Sequence, residues 1–237
     1  LYQEFQKMSE SLNTSMGDLI ESRQQELKSR SLALQSQTDP HFYYNTLSCI
    51  IVLAENHKDD EVIKLCRTLS QLMRYITSSS SDAVTVATEI DYINKYLYCM
   101  QIRYQNNLKC VVDIDERIMS CAIPKLLIQP IVENAIKYGT DCIPPWTITI
   151  SGTGTTSDWQ ITVSDTGNGF DGKTIEMLRS RMNECDDNHG MPELQINGLG
   201  MINVYLRWKI YAKHCAIFEF GNTEEGHAFV KIGYRSE

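Results

Sequence analysis

The stretch LLIQPIVENAIKYG, residues 126–139, has the three- and four-residue apolar spacing of an amphipathic helix. Its polar side includes an acid, Glu133, an amide, Asn134, and an amine, Lys137, within five residues. These three groups together can bind a metal ion and a phosphate. Any amphipathic helix also has a solvated polar side, so the stretch alone does not assign a function.

Two glycine motifs follow this helix in the chain. DTGNGF, residues 165–170, comes shortly after WQITV, whose alternating pattern predicts a strand. GLGMIN, residues 198–203, opens a second helical pattern. Taken singly, the first motif is typical of a tight turn after a strand, and the second is typical of a helix start. The polar helix and the two motifs in this order are far more specific than any one of them.

Composition excludes several classes of protein. The chain has 237 residues with a hydrophobic fraction of 42%, as in globular proteins with one large or two modest domains. The net charge of -8 and the lack of Lys/Arg-rich runs argue against a nucleic-acid surface. No apolar run approaches the roughly 18 residues that a membrane helix needs. The eight cysteines include no C-x-x-C pair, so we expect reduced thiols rather than a zinc site or a disulfide framework.

The first part of the chain, residues 1–37, is a continuous helical pattern without proline and with an imperfect apolar seam. A single helix of this kind is marginally stable, whereas a paired coiled coil would stabilise it. We therefore expect a parallel homodimer that is joined through this signalling helix. The alternative is a frayed helix with no pairing role.

His41 lies in TDPHFYYNTL, residues 38–47, and Asn45 follows it four residues later. That spacing places both side chains on one helical face. Pro40 cannot donate a helical hydrogen bond, so we expect the helix to kink just before His41. A single helical histidine is more often an ordinary residue than a catalytic one, but the preceding proline and the H-x-x-x-N pair favour function here.

The remaining sequence patterns predict helices before about residue 108 and mainly strands with some helices after it. Helical patterns near 61–77 and 88–105 follow the His41 segment, and paired hairpins of such helices build four-helix bundles. After residue 108, alternating stretches and helical patterns predict an α/β two-layer sandwich. The predicted fold is therefore an N-terminal helical dimerisation hairpin, a four-helix bundle in the dimer, followed by this sandwich. The polar loop 185–197 fits a mobile lid and a plain connector equally well.

Together, PHFYYNTL, IPKLLIQPIVENAIKYG, DTGNGF and GLGMIN resemble sensor histidine kinases of the LytS/YesM type, which have a Bergerat-type (GHKL) ATP-binding domain. The resemblance covers about residues 35–215. It implies a signalling coiled-coil helix at 1–37, a dimerisation and histidine phosphotransfer domain at 38–107, and an ATP-binding catalytic domain at 108–237. It also implies the cytoplasmic portion of a membrane sensor whose membrane segments precede this chain.

The activity that the resemblance implies is ATP-dependent autophosphorylation of His41, with Mg²⁺ as cofactor. The phosphoryl group would then pass to an Asp in the receiver domain of a response regulator, and phosphatase activity toward that regulator is a further option. His41 would be the nucleophile, and Asn45 would orient it or position a hydrolytic water. Glu133 would orient a metal-bound water or help to take the proton.

The nucleotide-binding roles come from the same resemblance. Asn134 would be a ligand of Mg²⁺, and Lys137 would lie near phosphate oxygens. Asp165 would accept a hydrogen bond from the adenine amino group. Glycines would let the backbone approach the nucleotide, at the base through Gly167 and Gly169 and at the phosphates through Gly198 and Gly200.

Several positions depart from the family pattern. Asp39 and Thr166 stand where the family has Asn, Tyr138 replaces His, and Phe42 occupies the position of the acid found in many other histidine kinases. The general base is therefore unassigned. These departures motivate a second hypothesis, a catalytically weak nucleotide-binding dimeric signalling scaffold. A third, an ATPase switch of the gyrase or chaperone kind, leaves the PHFYYN stretch unexplained.

Overall fold

The computed structural model describes residues 40–78, 83–187 and 200–236. Its helices are α1 (Pro40–Glu55), α2 (Asp59–Thr77), α3 (Val86–Tyr104), α4 (Gln129–Gly139), α5 (Gly172–Asp187) and α6 (Gly200–Ala212). Its strands are β1 (Ala83–Thr85), β2 (Leu108–Ile114), β3 (Ala122–Pro124), β4 (Trp146–Gly154), β5 (Asp158–Asp165), β6 (Ala216–Asn222) and β7 (Ala228–Arg235). The predicted coiled-coil helix at 1–37 and most of the polar loop lie outside the described residues.

Helices followed by an α/β layer confirm the predicted fold class. Five strands form one sheet in the order β2-β4-β5-β7-β6, in which β2 and β4 run parallel and the other neighbours run antiparallel. The short strands β1 and β3 pair with each other, with Val84 opposite Ile123. Sequence patterns missed these two strands because three residues are too few to show an alternation.

The main core lies between the sheet and the helices α4 and α6. Inward side chains of the strands are fully buried, among them Ile148, Ile150, Ile161 and Ile232. Trp208 of α6 is also fully buried, and its indole N–H is shared between the carbonyl oxygens of Ile217 at 3.1 Å and Gly233 at 3.0 Å. Burial of each such side chain contributes about 1.5–3 kcal/mol to the stability of the fold. The sheet therefore holds the loops at its edge in defined positions.

The helix predicted over 126–139 begins later, at Gln129. Leu126 has a φ of +58°, in the left-handed region, which a continuing right-handed helix excludes. Pro130 lies in the first turn of α4, a position that proline tolerates because no helical N–H is needed there. The polar residues of the motif therefore lie on a short helix whose start is fixed by its surroundings.

The helical part of the chain packs against α3. A turn at 56–58 joins α1 to α2, and α2 buries Leu65, Leu69 and Leu72. Phe42 of α1 is buried, and its ring centre lies 5.0 Å from that of Tyr96 on α3. The described part of α1 begins at Pro40, and the predicted kink lies at the edge of the described residues. None of the helices in the described ranges is long and apolar enough to cross a lipid bilayer.

Candidate nucleotide and phosphoacceptor site

Asp165 is a buried carboxylate at the end of β5. Its side chain accepts a hydrogen bond at Oδ1 from the backbone N–H of Gly167 at 2.8 Å, and the residue is 7% exposed. Burial raises the pKa of Asp165, whereas the Gly167 N–H and the nearby His227 lower it. A carboxylate can accept about four hydrogen bonds, so Asp165 keeps capacity for an N–H donor of a ligand.

Gly139, the last residue of α4, packs directly on Asp165. A Cβ on Gly139 would lie 2.8 Å from the Cβ of Asp165, and a Cβ on Gly167 would lie 2.8 Å from the Cα of Gly139. Both distances are too short for a side chain, so glycine permits this close approach of helix and loop. Gly139 was not among the predicted site residues, although it closes the same motif as Asn134.

The loop after β5 is held by the hairpin of β6 and β7. The side chain of Asn222 accepts from the N–H of Phe170 at 2.8 Å and donates to its carbonyl oxygen at 2.9 Å. His227 donates from Nδ1 to the carbonyl oxygen of Gly167 at 2.9 Å. Sequence reasoning missed Asn222 and His227, because contacts across more than fifty residues leave no local pattern. The loop of the first glycine motif is therefore positioned by the hairpin as well as by its own glycines.

We expect Gly169→Ala to weaken nucleotide binding roughly tenfold or more, from about 1–3 kcal/mol of added strain. Gly169 has a φ of +70°. A Cβ there would lie 2.3 Å from the carbonyl oxygen of Gly226 and 2.7 Å from Oδ1 of Asn222. The measurement is titration with a fluorescent ATP analogue. Gly172→Ala is the matched control, because a Cβ there meets no atom within 4 Å; equal affinities for the two variants would contradict the expectation.

Asn134 and Gly200 lie next to each other. Asn134 is half-buried on α4, and its amide nitrogen lies 3.7 Å from the place of a Cβ on Gly200, the first residue of α6. The free N–H groups of a helix start attract anions. Lys137 is exposed, with its ammonium 5.1 Å from the ring centre of Tyr138. The predicted site residue Gly198 lies outside the described residues.

Glu133 lies on the side of α4 near the helix that carries His41. Its Oε1 accepts a hydrogen bond from Nε2 of Gln129 at 2.6 Å. The pKa of Tyr43, which is two residues after His41, is raised by burial first and then by the negative charge of Glu133. The Glu133 carboxylate is therefore within electrostatic range of α1.

His41 is exposed on α1 and pairs with Asn45, as the four-residue spacing predicts. The Asn45 amide nitrogen lies 3.0 Å from Nδ1 and 3.5 Å from Nε2 of His41. An amide N–H that donates to Nδ1 leaves the ring proton on Nε2. The amide turned by 180° accepts from Nδ1–H instead, and the ring proton is then on Nδ1 and the lone pair on Nε2. The contact with Asn45 can therefore determine which ring nitrogen of His41 carries the proton.

The described contacts thus form two groups. One runs along α4, from Asn134 beside Gly200 to Gly139 against Asp165 and Gly167. The other is the His41–Asn45 pair on α1. The first group offers an acceptor for a base and a helix start for an anion, and the second offers a nucleophile. Phosphoryl transfer needs groups of these kinds, held in position near one another.

Comparison with known proteins establishes the family. The model of the family described as histidine kinase matches residues 29–108, which include His41, Asn45 and the whole of α1 to α3. YesM, a sensor histidine kinase of Bacillus subtilis (strain 168), is 34% identical over 183 residues, which cover 76% of this chain and 32% of YesM. The chain belongs to the YesM-type sensor histidine kinase family.

A second sensor histidine kinase is also similar to this YesM-type chain. The sensor histidine kinase YpdA of Escherichia coli (strain K12) is 33% identical over 185 residues, covering 77% of this chain and 30% of YpdA. The chain therefore spans about a third of the length of these relatives. Among solved structures, the catalytic domain of the histidine kinase ThkA matches 65% of this chain and 94% of its own chain, with 12% identity and a TM-score of 0.45.

Proposed function

We propose that this chain is the cytoplasmic kinase portion of a two-component membrane sensor. It uses ATP to phosphorylate His41 and passes the phosphoryl group to an Asp in the receiver domain of a response regulator. The observation that carries the proposal is the buried carboxylate of Asp165, packed between Gly139 and Gly167 at the end of the helix that bears Asn134. A buried acid with spare acceptor capacity can accept the adenine amino group, and the helix start beside Asn134 can attract phosphate.

Mg²⁺ and ATP fit the residues at this site. Asn134 offers an amide oxygen, a kind of ligand that hard cations prefer, and it lies beside the start of α6. Lys137 is exposed on the same helix and can attract phosphate oxygens. Asp165 can accept the adenine amino group, with Gly167 and Gly169 keeping the loop close to the base. When bound, Mg²⁺ would neutralise phosphate charge.

His41 is the proposed phosphoacceptor. With Asn45 accepting from Nδ1–H, the lone pair on Nε2 attacks the γ-phosphorus, and the bond to the leaving oxygen of ADP breaks. The ring must then lose its Nδ1 proton, which Asn45 cannot take because an amide is not a base. Glu133 is the proposed helper in this proton transfer, since its charge already reaches α1.

The proposed regions of the chain are 1–37 for signalling, 38–107 for dimerisation and phosphotransfer, and 108–237 for ATP binding. The strand β1, which precedes α3, pairs with β3 of the C-terminal part. Helix α3 also contacts α2, α4 and β2. Helix α3 therefore connects the phosphoacceptor helices to the ATP-binding layer.

A second copy of this chain is the proposed partner of α1. Three large side chains on this helix, Tyr44, Leu47 and Ile51, are 69%, 49% and 59% exposed. They recur at three- and four-residue steps, so they share one face of the helix. Apolar faces of this kind build the core of helix bundles, and the proposed coiled coil at 1–37 would continue the same contact.

We expect Ile51→Glu to convert the dimer into a monomer, because a charge placed in the apolar face cannot be desolvated without a partner. Size-exclusion chromatography with light scattering measures the change in mass. Gln101→Glu adds the same charge at an exposed polar position of α3 and should leave the dimer intact. A wild-type monomer, or an Ile51→Glu dimer of unchanged affinity, would contradict the proposed interface.

The catalytically weak scaffold is the second candidate, and the contact of Lys137 with Tyr138 favours it. The Lys137 ammonium lies 5.1 Å from the ring centre of Tyr138, and this cation–π contact competes with phosphate for the lysine charge. Incubation of the chain with Mg²⁺ and γ-labelled ATP separates the two candidates. Label that is lost in acid and stable in base supports the kinase, whereas bound ATP without label supports the scaffold.

A further inference from the structure

Glu89 of α3 is a fully buried acid outside the motifs that identify the family. Its carboxylate accepts hydrogen bonds from the backbone N–H groups of Leu126 at 2.9 Å, Ile128 at 3.2 Å and Gln129 at 3.4 Å. The hydroxyl of Tyr75 donates to the same carboxylate at 3.1 Å. Helix α4 has no side-chain cap of its own at Ile128. Glu89 therefore caps α4 from a distant part of the chain.

The charge of Glu89 suits this position. Burial raises the pKa of Glu89, whereas the backbone donors, Tyr75 and the positive charge of Arg207 lower it. A negative group at a helix N-terminus also interacts favourably with the helix dipole. A buried acid carries a desolvation cost that an apolar side chain of similar volume avoids. Its presence here therefore points to a requirement for a defined geometry at the start of α4.

Arg207 of α6 holds the same segment from the opposite side. It is 8% exposed and donates from its guanidinium to the carbonyl oxygen of Leu126 at 2.9 Å and to that of Lys125. Leu126 has a φ of +58°, a strained backbone conformation for a residue other than glycine. The strained conformation persists because its N–H is bound by Glu89 and its carbonyl by Arg207.

We propose that Glu89 and Arg207 form a clamp on residues 125–129 that sets the position of Asn134 relative to the start of α6. Both are positioning residues, since they act through the backbone and not on the nucleotide. The inference rests on the proposed function, because it assigns the clamp to the Mg²⁺-dependent part of nucleotide binding. Asn134 lies just over one turn into α4, and Gly200 begins the helix that carries Arg207.

The clamp also touches the helix that follows the His41 helix. Besides Tyr75, the end of α2 contributes Ser78, whose carbonyl oxygen and hydroxyl accept from the Lys125 ammonium at 2.7 Å and 3.1 Å. Lys125 is itself one of the residues that Arg207 holds. The clamp thus joins α2, α3, α4 and α6 at one point.

The test compares ADP affinity in Mg²⁺ with ADP affinity in EDTA for the wild type and Glu89→Gln, by isothermal titration calorimetry. Glutamine has the shape of Glu89 but loses its charge and one acceptor. We expect the gain in affinity due to Mg²⁺ to fall about tenfold, as when partners of metal ligands are removed. Affinity in EDTA, which depends on Asp165, should stay within about twofold of wild type. Glu116→Gln, an exposed acid, is the matched control and should change neither value.

The outcomes separate the clamp from a merely structural role. The clamp would be overturned if Glu89→Gln lowered the melting temperature but left the Mg²⁺-dependent gain in ADP affinity unchanged. It would also be overturned if the variant lost ADP affinity equally with and without Mg²⁺. Both results would leave the proposed function standing. If the wild type binds no ADP at all, the proposed function fails and the clamp fails with it. If Glu89→Gln does not fold, Tyr75→Phe gives the same test, because it removes one donor to the carboxylate. If Tyr75→Phe reduces the Mg²⁺-dependent gain in ADP affinity, by less than the amount expected for Glu89→Gln, the clamp is supported. If that gain is unchanged, the clamp is overturned.

Discussion

Replacing His41 with glutamine is expected to abolish phosphorylation of the chain while ATP binding stays at the wild-type level. Glutamine can keep a hydrogen bond to Asn45 from its place on α1, but it has no nucleophilic nitrogen. Labelling by γ-labelled ATP should fall by at least about 1000-fold, since nothing else in the pair can replace the nucleophile. The measurement is acid-labile label on the protein after incubation with Mg²⁺, with nucleotide binding determined in parallel.

His214→Gln is the control for this experiment, because His214 is exposed and lies between α6 and β6, far along the chain from α1. It should be labelled as strongly as the wild type. Label that persists on the His41 variant would mean that another residue is the phosphoacceptor. Loss of both label and ATP binding would mean that His41 supports the fold and would leave its chemical role without support.

Replacing Asp165 with asparagine is expected to reduce ATP affinity roughly 100-fold, the cost of an unmatched buried polar group. The asparagine oxygen can still accept from the Gly167 N–H, but the amide nitrogen would then face the adenine amino group, and two donors would oppose each other. Guanine presents an acceptor at the same place, so the preference for ATP over GTP should narrow. Titration calorimetry with both nucleotides measures the two effects.

Asp158→Asn is the matched control for Asp165. Asp158 begins the same strand, is exposed and is paired with Arg235, so its neutralisation should leave both affinities unchanged. An Asp165→Asn variant that binds ATP as tightly as the wild type would show that the adenine amino group is not read by this carboxylate. An equal loss for ATP and GTP would indicate a general disturbance of the loop.

The parts of the site that sequence predicts are those encoded by short, local patterns. The His41–Asn45 spacing predicts a shared helical face, and the pair is in contact in the structure. The alternation before Asp165 places that residue at a strand end, and the structure has β5 end there. In both cases the chemistry depends on a few consecutive residues, so no long-range information is needed.

The start of α4 shows where such patterns fail. The apolar spacing continues back to Leu126, yet the helix begins at Gln129. The cause is tertiary, because Glu89 and Arg207 bind the backbone of residues 125–129 from helices far away in the sequence. Only the packed fold shows that a buried acid on α3 caps a helix some forty residues later.

The loop of the first glycine motif is also held by contacts that sequence patterns do not predict. Asn222 and His227 hold the loop of the first glycine motif through side chains on the β6–β7 hairpin. Their positions depend on the register of β5 against β7, which pairs Val163 with Val230. A sequence pattern can predict that both strands exist, but it cannot fix that register or the turn that presents His227.

The most direct test of the account is to locate the phosphoryl group on the wild-type chain. After incubation with Mg²⁺ and ATP, the protein is digested under alkaline conditions that preserve phosphohistidine and is sequenced by fragmentation mass spectrometry. We expect one phosphoryl group, on His41. A phosphoryl group on a serine, threonine or other histidine, or no phosphoryl group on a chain that binds ATP, would contradict it.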